Sequence, residues 1–138
     1  MAKSMLLPLS PEHLREASLA NHLALVACRG EFGTLHLLNE LIRVVYLTYY
    51  VQQDGFGDAP LELYQRVEAA LGRSIAHGER TGKWRLDPAD IPYFENILRL
   101  RDQQLSSATL RFIVGAEERL CSFLRSRRVS PLPTADAA

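Results

Sequence analysis

Four histidines, His13, His22, His36 and His77, are the first residues that could do chemistry here. A metal centre in a helical protein draws three or four ligands from facing helices, often through a Glu-x-x-His spacing. None of these histidines has that spacing. His22, His36 and Glu31 form the one trio that neighbouring helix ends could bring together, and two imidazoles with a single carboxylate in reach fall short of the usual set. The reading is satisfied or surface histidines, with no metal and no cofactor. Cys28 and Cys121 lie far apart and form no CxxC pair, so buried free thiols in a reducing cytosol are expected.

The carboxylates point the same way. Glu40, Glu68 and Asp102 are candidates for partly buried charge, which is costly unless paired, and Arg43, Arg66, Arg99 and Arg101 are the available partners. Ion pairs account for them without acid–base catalysis. The chain has no P-loop, GxGxxG, HExxH or GxSxG motif, and no enzyme is predicted.

Two further groups are candidates for interaction. Arg125, Arg127 and Arg128 in "LRSRRVS" make the densest basic cluster, at a helix C-terminus where the macrodipole favours positive charge whatever the function. As a DNA contact they would be a short arm of phosphate ligands, weak and salt dependent. The stretch "HGERTGKWRLDP", residues 77–88, holds the only tryptophan, Trp84, between two glycines and a proline. It reads as a helix–helix crossing whose indole folds back over the open end of the core, with Lys83 and Arg85 in water. The alternative is an aromatic site that stacks on a ligand or a base.

Helices must position these residues. A chain of 138 residues builds one domain, and 47% apolar with 23% charged residues excludes both a disordered chain and a membrane protein. Sixteen basic residues balance sixteen acidic ones, so no net field draws the molecule to polyanions. The N-terminal "MAKSMLLPLSPEH" is too short for a signal sequence or a membrane span, which implies a cytoplasmic protein.

Ser10 and Pro11 open a first helix in which Leu19, Leu23 and Val26 recur at helical spacing, and Gly30 ends it. "TLHLLNELIRVVYLTYYVQQDG" is apolar nearly all round, with Leu35, Leu38, Leu41, Ile42, Val45, Leu47 and Tyr49 off any single stripe. That places it at the centre of a bundle or in a subunit interface. A strand reading of "IRVVYLTYYV" fails for want of a partner strand. A third helix carries Leu61, Tyr64, Val67, Leu71 and Ile75 and closes at Gly78 or Gly82. Asp87 and Pro88 then open a short turn before a helix that carries Phe94, Ile97, Leu98 and Leu105. A break at "SSAT" separates this from a last helix with Leu110, Ile113, Leu120 and Leu124, because one unbroken helix would reach about 50 Å.

In this order "SLANHLAL", "YLTYYVQQDGFGD", "EAAL", "TGKWRLD", "FENILRLRDQQLSSA" and "AEERLCSF" resemble a group of short bacterial helical proteins. Some of these are labelled Fis-family transcriptional regulators. The resemblance implies DNA association, whereas the C-terminal stretch reads as an amphipathic core helix in place of a helix-turn-helix.

The sequence thus predicts a single all-α domain of four to five helices over residues 10–127. A flexible segment over 1–9 and a disordered tail over 128–138 flank it. The expected role is a non-enzymatic interaction or regulatory protein that forms a homodimer, with Tyr46, Tyr49 or Tyr50 near the interface. A DNA-associated regulator and a metal or small-ligand bundle are the alternatives.

Overall fold

A computed structural model describes residues 3–133. A 3-10 turn (Lys3–Leu6) leads into α1 (Pro11–Arg29), α2 (Leu35–Gln53) and α3 (Leu61–Thr81). A second 3-10 turn (Pro88–Asp90) precedes α4 (Ile91–Ser107) and α5 (Leu110–Arg125). The architecture is a single all-α bundle. No described helix is long and apolar enough to cross a membrane.

The punctuation works as its chemistry dictates. Ser10 Oγ accepts the His13 N–H at the start of α1 and Pro11 occupies the first turn. Gly82 closes α3 in the left-handed conformation, φ 74°, with its N–H donated to the Gly78 carbonyl. Asp87 Oδ1 accepts the Ala89 N–H at 2.9 Å and caps the short turn that Pro88 opens.

Helix α2 is the axis. Residues 44–48 are buried without interruption, which a one-sided helix cannot achieve, and α2 packs against α1, α3, α4 and α5. The buried Thr48 hydroxyl is satisfied inside the helix by the Val44 carbonyl, at 2.7 Å. Gln52 fastens the loop that follows: it donates to the Ala59 carbonyl and accepts from the Ala59 N–H and the Tyr64 hydroxyl. Gln104 of α4, 1% exposed, donates to the carbonyls of Thr48 and Phe56 and ties α4 to the end of α2.

Both described chain ends pack onto the bundle. Ala108 turns extended between α4 and α5, so the two helices are separate. The N–H of Leu110 exposed by that break is taken by the Leu7 carbonyl at 2.7 Å, and Pro8 bridges Thr109. Leu7 thus supplies an acceptor that the start of α5 lacks.

The C-terminal residues 128–133 also pack back on the bundle. Leu132 is 4% exposed, Ser130 donates to the Glu68 carboxylate, and Gln65 donates to the Pro133 carbonyl. One buried leucine and a few hydrogen bonds hold this strap, with no periodicity to announce it. The remainder of the predicted tail, 134–138, and residues 1–2 lie outside the described residues.

Candidate functional site

Helix α1 carries two apolar stripes. Ala24, Leu25 and Cys28 are buried, with Leu14 and Ala17 packed beside them. The stripe that stands out in the sequence faces the other way: Leu19, Leu23 and Val26 are 60%, 56% and 60% exposed. The buried stripe faces α2 and α4, against which α1 packs, and the other faces solvent. Phe32, 81% exposed, and Leu35 follow around the α1–α2 turn. The charged side chains of α1 are Glu12, Arg15 and Glu16 near its start and Arg29 in its last turn.

The flank of this face toward α4 is set by two pairs. His22 Nε2 lies 2.9 Å from Asp102 Oδ2, and Arg29 lies 3.7 Å from Glu95. His22 is thereby engaged across helices, away from the trio with His36 and Glu31, and no three metal-ligating side chains converge among the described residues. Burial pushes the Cys28 thiol up, partly offset by a backbone hydrogen bond from Thr34. Cys121 is exposed, contrary to the reading of two buried thiols.

The tyrosines expected at an interface are covered by the chain itself. Tyr46 is 6% exposed, meets Phe123 edge-on and donates to Glu68 at 2.7 Å. Tyr50, 7% exposed, lies under the Arg119 guanidinium, 4.6 Å from its ring. Tyr49 is half-buried against Tyr64 and accepts from Gln53. Helix α5 and the C-terminal strap close over the part of α2 that seemed in surplus. Glu68 is satisfied by the hydroxyls of Tyr46 and Ser130, not by an arginine. Arg43 bonds Glu117 at 2.6 Å, while Arg66 stacks over Tyr93, 4.0 Å from its ring.

Trp84 is half-buried. Its ring covers Gly78 of α3 and its carbonyl abuts Gly33, two approaches that only glycine permits. Lys83 and Arg85 are exposed on either side of it. Arg125 ends α5, and Arg127 and Arg128 follow its cap, Ser126, whose hydroxyl accepts the Arg128 N–H at 3.2 Å. All three arginines are exposed, and Arg128 lines a groove shared with Tyr50 and Arg119.

The crossing that Trp84 anchors forms one wall of a cleft of about 540 Å³, with α3 as the other wall. Arg73, His77 and Arg80 reach it from one face of α3, and Arg85 from the crossing. Arg73 is bound to Asp90 at 3.0 Å, and the 5% exposed Ser74 lies in the wall between the arginines. The signal for this cleft was the spacing of residues 73, 77 and 80 on α3, which hydrophobic periodicity does not register. No protein-family model, curated protein or solved structure matches this chain.

Proposed function

We propose that the chain acts as a non-enzymatic interaction or regulatory protein that works as a homodimer, joined through the outward face of α1. The observation that carries this is the exposure of Leu19, Leu23 and Val26, each with more than half its surface in water. Contiguous apolar surface of this kind marks an association site on a folded domain.

A second copy fits the face by hydrophobicity. Leu19, Leu23 and Val26 lie one and two turns apart on one side of α1, so a two-fold axis near Leu23 sets the three side chains of one copy against those of the other. Self-pairing thereby removes the same apolar surface from water on both copies at once.

Sedimentation equilibrium of the full chain tests the reading. Wild type should have twice the chain mass at micromolar concentration, and Leu23→Glu should have the monomer mass while keeping its helical circular dichroism. A wild-type monomer at high micromolar concentration, or a Leu23→Glu dimer, would overturn it.

A further inference from the structure

We infer that the cleft between α3 and the residue 82–90 crossing is a binding site for a small molecule carrying a phosphate or carboxylate group. The charge of its lining is unbalanced although the whole chain is neutral. The acidic residues of the lining are Asp87 and Asp90. Asp90 is paired with Arg73, and Asp87 is bonded to the Ala89 N–H. Among the described residues Arg80 and Arg85 have no acidic partner within 4.0 Å. Two guanidinium groups without an acidic partner therefore share one concavity with the His77 imidazole; they outnumber the one carboxylate left without a cation, Asp87, and Arg80 spends only its Nε, on the Ala76 carbonyl.

The wall that holds Arg85 is fixed in advance. Trp84 is seated on Gly78. Leu86, 1% exposed, donates its N–H to the Cys28 carbonyl at 2.8 Å. Arg85 is thus held between two anchored residues. The Arg73–Asp90 pair fastens the far end of the crossing to α3. A prearranged backbone lowers the ordering cost of binding, and guanidinium groups match phosphate and carboxylate oxygens through paired N–H donors.

Size and lining suit a small organic anion. A cleft of about 540 Å³ lies within the range of small-molecule sites. Ala70, Leu86 and Pro88 give it apolar surface for the body of such a ligand, while the Ser74 hydroxyl supplies a neutral polar group. The Arg73–Asp90 pair offers no unneutralised charge, which leaves recognition of the anion to Arg80 and Arg85.

Calorimetry and thermal unfolding with pyrophosphate, citrate and inorganic phosphate test the site, with sodium chloride at matched ionic strength as the reference. Pyrophosphate or citrate should bind at one site per chain and raise Tm with concentration. Arg80→Ala and Arg85→Ala should each weaken binding about tenfold, the loss of one charge-assisted contact. Leu23→Glu, far along α1, should leave the affinity unchanged, so failure of the dimer and failure of the site are distinguishable. No saturable heat with any of the three anions would overturn the proposal. So would a Tm rise that both arginine variants retain. A random DNA duplex forms the last arm: binding that Arg80→Ala and Arg85→Ala abolish, with no small anion bound, would reassign the cleft to nucleic-acid phosphates.

Discussion

Trp84 closes over Gly78: a methyl carbon added at residue 78 would stand 2.6 Å from the indole Cζ3 and closer still to Cε3 and Cδ2. The ring is part of the core edge, so it cannot swing away without uncovering that edge. The only tryptophan of the chain is thereby a clamp between α3 and the crossing, and the cleft on the other side of the crossing inherits its shape from it.

Gly78→Ala should therefore destabilise the protein by about 1–3 kcal/mol, the range for an overpacked site, despite a helix-propensity gain of about 1 kcal/mol. Gly72→Ala, on the same helix with open space at its Cα, should instead stabilise by roughly 0.5–1 kcal/mol. Urea unfolding measures both. Tryptophan emission should shift red in the first variant and stay unchanged in the second. Equal stabilisation by the two would mean that the indole does not rest on residue 78.

The C-terminal strap is expected to contribute real stability. Leu132→Ala removes a side chain that is 4% exposed and should cost about 2–4 kcal/mol. Truncation after Arg128 should cost at least as much, because it also strips Ser130 from Glu68 and uncovers Tyr46. A truncated chain with the wild-type urea midpoint would show that the strap does not pack.

Stability should fall at alkaline pH. Burial raises Tyr46, Tyr64 and Tyr50 above the ordinary tyrosine value, and at Tyr46 the Glu68 carboxylate adds to the effect. Tyrosines in the unfolded chain ionise near pH 10, a value of about 10 being the unperturbed one. The stabilisation is whole below that pH and is lost above it, as the unfolded state releases protons that the folded state keeps. Arg101 acts in the opposite sense: burial, only partly offset by Glu117, lowers it to about 10, so the folded state yields that proton first. One arginine against three tyrosines leaves a net loss. Urea midpoints between pH 8 and 11 should fall for wild type and fall less for Tyr46→Phe; parallel curves would contradict the assignment.

The helices were legible because their signals are local. Ser10, Asp87 and Gly82 act at the positions where their side chains or backbone freedom suggest, and α2, apolar on most of its circumference, meets four helical neighbours. What the sequence hid is which way things face. Leu19, Leu23 and Val26 make a stripe more apparent than Ala24, Leu25 and Cys28, yet the second set is inside, because periodicity marks a stripe without saying which side of the helix α2 and α4 cover. Tyr46 and Tyr50 seemed available to a second copy only because their cover comes from α5 and from a strap about eighty residues downstream, a long-range contact with no local mark. The cleft was invisible for the same reason: Arg85 meets the Arg73–Arg80 face only after the crossing folds back.

The outward face of α1 is the claim on which the proposed role rests, and sedimentation equilibrium of carboxylate substitutions along it tests that claim most directly. Leu19→Glu and Val26→Glu, like Leu23→Glu, each place a charge in the apolar face of both copies, where burial without a partner is costly. Each should sediment with the monomer mass under conditions in which wild type has twice that mass. Leu124→Glu, at a leucine of α5 that is 68% exposed and lies outside the face, should leave the dimer intact. A monomeric wild type, or Leu19→Glu and Val26→Glu variants that stay dimeric, would contradict the α1 interface.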